Sequence, residues 1–173
     1  MPTYIALLRG VNVGTARKVP MNDLRALFDS LGHTDVRTYI QSGNVVFTAK
    51  DAAPARVRSA IEQGITRDFG LDVAVLMRKR SDLAKVLERN PFGAEAYITF
   101  LDDSPDRKRV AALDPAPYSP DEFVVHGREV FVRCPNGYGR TKINNAFFER
   151  KLATRATTRN RKTVTTLHDW AAG

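Results

Sequence analysis

The sequence predicts an α+β protein: a tandem duplication of a ferredoxin-like βαββαβ unit, with mostly antiparallel sheets and helices packed on one face. Three observations predict it. Strand-like and helix-like runs alternate as β-α-β-β-α-β, and that order then repeats. Apolar residues recur at i, i+3, i+4 and i+7 in segments led by proline or a Ser/Thr cap. Finally, MRKRSDL (77–83) and RNRKTVT (159–165) align as a strand end, a basic turn and a Ser/Thr cap. The first unit and a linking helix are expected over residues 1–90, and the second with a C-terminal helix over 91–173, closely packed.

TYIALLR (3–9) is a short apolar strand. Pro20 suits a first helical turn, where its missing N–H has no partner to lose. Leu24, Leu27, Phe28 and Leu31 form one stripe, and Gly32 is a stop. RTYIQSGNVVF (37–47) reads as a hairpin with strands at 36–40 and 45–48 and a polar tip. A second Pro-led helix starts at Pro54, and LDVAVLM (71–77) is a strand apolar enough to be expected inside the sheet. Ser81 caps the linking helix, which stops at Asn90-Pro91.

In the second half AYITFLD (96–102) is a strand and Ser104-Pro105 opens a short helix. EFVVHGREVFVRC (122–134) is a hairpin tight around His126-Gly127-Arg128. Thr141 caps a helix with Ile143, Ala146, Phe147 and Leu152. Residues 155–160 form a last strand, and Thr163 caps a last helix with Val164, Leu167 and Trp170.

With 173 residues, 43% hydrophobic and 27% charged, the chain can bury a core without staples. One cysteine, Cys134, excludes an internal disulfide and a multi-cysteine zinc site. The three histidines lie far apart, so no metal and no cofactor is expected. No apolar run approaches a membrane span or a signal peptide, so a cytoplasmic protein with no membrane partner is expected. The net charge of +8 is concentrated: residues 137–162 hold eight Lys/Arg and one acid, Glu149, leaving +1 for the rest. A clustered field of that kind steers anionic partners.

Three stretches can hold an anion. In the first, Arg9, Gly10, Asn12, Gly14, Arg17 and Lys18 lead from a strand to a helix start. Glycines there let backbone N–H groups approach a ligand, although neither nucleotide-loop motif is present. The second, Gly137, Gly139, Arg140, Thr141 and Lys142, has the same strand-to-helix context. The third, Arg159, Asn160 and Arg161, places two arginines on one side of a strand, fit to track phosphates. Each also has a structural reading: a glycine-rich connection, a solvated loop, and a charged edge that prevents aggregation. At the hairpin tip Gly43 and Asn44 are accounted for by a turn. Tyr39, Gln41, Ser42 and Asn44 are the residues that can support a neighbouring site.

ALLRGVNVG, RTYIQSGNVVF and ATTRN..TV..L, in that order, closely resemble the bacterial family known only as domain of unknown function 1697. The resemblance runs from Tyr4 to Trp170 and implies a duplicated ferredoxin-like fold, with no established activity, cofactor or substrate. Two departures stand out. Thr15 replaces a second glycine after Gly14, and Arg161-Lys162 replace a Trp-Asn pair, which marks part of the basic segment as particular to this chain.

No catalytic constellation is present: Ser42 lacks an elbow context, and Cys134 reads as a small buried hydrophobe. RNA recognition by base stacking is disfavoured, because NVVFTA and REVFVRC each hold a single Phe alternating with Val. The leading expectation is a non-catalytic anion-binding module, whose partner is a small anionic ligand or a nucleic-acid backbone along 137–162. Two alternatives stand beside it. One is an enzyme for a phosphorylated or carboxylated small molecule held between Gly10–Gly14 and Gly137–Lys142. The other is a self-association module.

Overall fold

The computed structural model describes residues 1–172. It is a mixed α+β protein with two four-stranded antiparallel sheets and six helices, in two similar halves. The first half runs β1 (Thr3–Leu8), α1 (Met21–Ser30), β2 (Thr34–Tyr39), β3 (Asn44–Thr48), α2 (Pro54–Phe69), β4 (Val75–Arg78) and α3 (Arg80–Arg89). The second runs β5 (Ala96–Leu101), α4 (Arg107–Ala111), β6 (Glu122–His126), β7 (Glu129–Arg133), α5 (Asn145–Leu152), β8 (Ala156–Asn160) and α6 (Arg161–Trp170). The sheet orders, β2-β3-β1-β4 and β6-β7-β5-β8, are the same ferredoxin-like order. Two compact units result: residues 1–84 with 166–173, and residues 85–165.

Alternation along each strand builds the core. In the first unit Tyr4, Ala6, Leu8, Val45, Phe47 and Val75 face the stripes of α1 (Leu24, Leu27, Phe28) and α2 (Val57, Ile61, Ile65). Their neighbours Ile5, Leu7, Val46 and Leu76 are buried as well, so both faces of this sheet are covered. In the second unit Leu101, Val130, Val132 and Ala156 face Phe147, Phe148 and Leu152 of α5. Burying an aliphatic or aromatic side chain of this kind stabilises by roughly 1.5–3 kcal/mol. At the end of α6, Trp170 meets Tyr39 edge-on at 5.3 Å, with the Arg37 guanidinium 3.9 Å above its ring.

Several local expectations are corrected. β4 pairs only with β1, so it is an edge strand, although Val75, Leu76 and Arg78 are buried. None of the expected caps acts as one. α3 starts at Arg80, ahead of Ser81, and Asp82 reaches back to accept from the Lys79 N–H at 2.8 Å. α4 starts at Arg107 with Asp106 as cap, not at Ser104-Pro105. α5 is capped by Asn144, and α6 by Asn160, whose Oδ1 accepts from the Thr163 N–H at 2.9 Å. Asp106, Asn144 and Asn160 each accept from an N2 or N3 backbone N–H, while Asp82 reaches back from the third helical position to the residue ahead of the helix.

The repeat register is also one residue from the alignment of 77–83 with 159–165. Ile5 stands opposite Val46 and Arg78, as Ile98 stands opposite Phe131 and Arg159. Arg78 and Arg159 are therefore the equivalent pair, not Met77 and Arg159.

Candidate functional site

The first glycine-rich loop leaves β1 through Arg9 and folds back on itself. Gly10, Asn12, Gly14 and Arg17 all have positive φ, between 53° and 67°. Such a run is accessible to glycine and tolerated by Asn, but costly for Arg, so local bonds must hold it. The Asn12 side chain supplies three: Nδ2 donates to the Val19 carbonyl (2.9 Å) and the Gln41 carbonyl (2.7 Å), and Oδ1 accepts from the Val19 N–H (2.9 Å). The Arg17 guanidinium donates to the carbonyls of Gly10 (2.7 Å) and Asp72 (2.8 Å). Two of the six candidate residues here thus turn their polar atoms inward. Lys18 is exposed and Arg9 half-buried.

The hairpin tip is part of the same construction. Gly43 has φ +86°, its carbonyl accepts from the Leu8 N–H at 2.9 Å, and a Cβ there would sit 2.8 Å from both Leu8 Cβ and Val11 Cγ2. Asn44 is fully buried and donates to the Tyr39 carbonyl and the Ser42 hydroxyl, both at 2.9 Å. Ile40, exposed with φ +49°, is held in the left-handed region between them. The tip and the first loop are one hydrogen-bonded assembly. Of Tyr39, Gln41, Ser42 and Asn44, Gln41 reaches the first loop, through its carbonyl, while Asn44 ties Tyr39 and Ser42 together within the hairpin.

The second loop, residues 134–144, is anchored differently. Gly137 has φ +97°, and Tyr138–Arg140 form a 3-10 turn that contains Gly139. Tyr138 stacks on Tyr97 at 4.8 Å and donates its hydroxyl to Thr158 Oγ1 at 3.1 Å. Thr158 also bonds Thr99 Oγ1 (2.8 Å) and donates to Asn145 Oδ1. Burial pushes the Tyr138 phenol above its ordinary range, and burial likewise raises the Cys134 thiol, so Cys134 is no ready nucleophile. Thr141 donates to Asp121 at 2.7 Å and accepts from the Ile143 N–H at 3.2 Å.

Between this loop and the segment that enters β6 lies a cleft of about 440 Å³. Its walls are Pro117, Tyr118, Ser119, Pro120 and Asp121 on one side and Asn136, Gly137, Arg140 and Lys142 on the other. Arg140 and Lys142 are exposed, and the one acid, Asp121, already accepts from Thr141.

The third stretch does not form a basic strand face. Arg159 is 6% exposed, with Nη1 donating to Thr157 Oγ1 (2.6 Å) and to the Thr158 carbonyl (2.9 Å). Desolvation lowers its pKa to about 10, which leaves it charged at neutral pH. Arg161 begins α6, so the strand alternation that would align it with Arg159 ends at Asn160. The basic segment divides accordingly. The C-terminal ends of β7 and β8 flank the start of β5, with Arg133 opposite Ala96 and Asn160 opposite Tyr97. Arg140, Lys142, Arg161 and Lys162 follow from that end. Arg150, Lys151 and Arg155 precede the other end of β8.

Ser119 and Asp121 were not among the residues singled out from the sequence. The signal for Asp121 lay in the repeat: a polar residue stands directly ahead of the second strand in both halves, His33 before β2 and Asp121 before β6.

Comparison with known proteins gives a family and a fold. The family described as "Protein of unknown function (DUF1697)" matches residues 1–131. A solved structure, that of the conserved bacterial protein SP0830 from Streptococcus pneumoniae, superposes with a TM-score of 0.75 at 24% identity, covering 98% of each chain. At that identity the likeness speaks for the fold. No curated protein matches the chain. No helix among the described residues is long and apolar enough to cross a membrane.

Proposed function

This chain belongs to the family described as protein of unknown function (DUF1697), and we propose that it is a non-catalytic module that binds a small anion in the cleft of its second unit. The observation that carries this reading is that Arg140 and Lys142 line one cleft whose acid, Asp121, is already engaged by Thr141. Two cations against the one carboxylate leave the cleft net positive and so attractive to an oxyanion, and the planar guanidinium adds a bidentate donor. Ser119 and Asn136 offer neutral hydrogen bonds beside them. An NMR titration with phosphate and sulfate tests the reading. Saturable shifts of Gly137 and Arg140 amides are expected, weakened about tenfold by Arg140→Gln with Lys142→Gln. Absence of saturation at low ionic strength rejects it.

A second reading, attachment to a nucleic-acid backbone, is favoured by the four cations at the β5 start. It predicts salt-dependent binding of duplex DNA with a log–log slope no steeper than about −0.9 for each of those few contacts. Anisotropy that stays flat at low salt removes it.

A further inference from the structure

The outer strands of the two sheets are β2, β4, β6 and β8, and each carries a row of backbone groups that its own neighbour does not use. Three of them are poor templates for a further strand. β2 breaks its ladder between Thr34 and Arg37, with Asp35 at φ +52°. β4 and β8 are mostly buried: Val75, Leu76 and Arg78 in one, Ala156, Thr157 and Arg159 in the other. Among the described residues β6 is the edge strand that is both regular and exposed. It pairs with β7 alone, in unbroken register from Glu122 to His126, and Val124 at its centre is 45% exposed.

Register fixes which backbone groups of β6 are left over. The Leu101 N–H bonds the Arg128 carbonyl opposite it at 2.8 Å. Alternation then turns the main chain of Val130 and Val132 toward β5, and that of Glu129, Phe131 and Arg133 toward β6. Their partners His126, Val124 and Glu122 are thereby engaged. The N–H and carbonyl groups of Phe123 and Val125 point the other way, off the edge.

That edge is complementary to itself. Two β6 strands run antiparallel about a two-fold axis at Val124 set Phe123 opposite Val125 of the second copy, which pairs the very groups that point outward. The same register sets Glu122 against His126 of the second copy, and alternation puts both side chains on the face that carries Val124. The Glu122 side chain is 56% exposed, with Arg133 3.7 Å away on its β7 side. Arg89 Nη1 stands 3.5 Å from His126 Nδ1, so a cation accompanies the imidazole. A carboxylate at one end of β6 therefore meets an imidazole and a guanidinium at the other, on both sides of the axis. Between them the two Val124 side chains cover each other.

We propose that β6 is a self-association edge, through which two copies of this chain join antiparallel into one continuous sheet, a closed two-fold dimer. Residues 117–121, which wall the anion cleft, run straight into β6, so the two clefts stand at opposite ends of the joined strands. The pairing does not depend on what the cleft binds.

Sedimentation equilibrium on the intact chain tests it, with amide spectra to show that each variant folds. A concentration-dependent dimer is expected. Val124→Lys sets two ammonium groups together on the axis and should weaken it more than tenfold. Glu122→Lys and His126→Glu should each lose the dimer alone and recover it when mixed, because the mixture restores opposite charges at both ends of the joint. Val124→Cys should form a covalent dimer on mild oxidation, since the native Cys134 is buried. Glu122→Cys should not, as its two copies lie about 13 Å apart along the strands, beyond disulfide reach. The proposal is overturned if the chain stays monomeric to about 1 mM, or if Val124→Lys associates as well as the native chain. Failure of the charge variants to recover the dimer on mixing, or of Val124→Cys to cross-link, overturns it equally.

Discussion

The Asn12 amide donates at 2.7 Å to the carbonyl of Gln41, and so ties the loop after β1 to the hairpin that joins β2 and β3. The two stretches that stand out most in the sequence are therefore one object in the fold. With the Val19 bonds, a single side chain serves three backbone groups, one of them the N–H of a fully buried residue. Asn12→Ala should destabilise the chain by about 2–3 kcal/mol, because buried backbone groups are left unsatisfied. Urea denaturation should show a lower midpoint with an unchanged slope.

Glycines in the candidate loops should separate into two groups. Gly43→Ala puts a Cβ 2.8 Å from Leu8 and Val11 in a backbone with φ +86°, so overpacking and left-handed strain add, at about 2–4 kcal/mol. Gly14→Ala has φ +58° and no atom within 4 Å of the new Cβ. It should cost about 1–2 kcal/mol, from backbone strain alone. Similar losses for the two variants would contradict the docking of the hairpin tip.

Stability should fall with pH in the range where histidine titrates. Burial, assisted by the Lys50 charge, holds the His33 pKa below its ordinary 6.5. The unfolded chain then binds more protons than the folded one as pH drops below that value. His33's contribution is thus fully present above 6.5 and is lost on acidification toward the depressed pKa. Denaturation midpoints between neutral and mildly acid pH should decline, and His33→Phe should flatten the decline. The carboxylates held low, Asp51 and Asp68, act only at more acid pH.

Trp170 is the sole tryptophan, and its fluorescence should report on the end of α6. Arg37→Met removes the cation above its ring and should change the emission while costing about 0.5–1 kcal/mol. Trp170→Ala, which also loses the Tyr39 contact, should cost about 2–4 kcal/mol. An emission spectrum indifferent to Arg37 would refute this arrangement.

Element order, the two-fold repeat and most of the core could be read from the chain, because periodicity reports which side of a helix or strand meets apolar neighbours. Leu24, Leu27 and Phe28 are buried as their spacing implies. The cap residues could not be read in the same way, since Ser, Thr, Asp and Asn are all competent caps and only the path of the turn decides which of them stands at the helix start. Nor could the fate of the polar candidates. Arg159 and Arg161 look alike in sequence, yet one is buried in a strand and the other opens a helix on the surface. A charge says nothing by itself about whether backbone carbonyls or solvent will meet it.

Taken alone, the amino-acid order determined an α+β duplication, a locally basic second half and two glycine-bearing strand-to-helix loops. These depend on near neighbours along the chain: spacing, composition and the φ that glycine allows. Tertiary structure decided which polar atoms those loops consume, where the seven exposed cations of residues 137–162 divide, and that His33 and Asp121 share one place in two units. Hydrogen bonds such as Asn12 to Gln41 join residues 29 apart, and strand register sets which side chains face a cavity. Both arise only when distant segments pack.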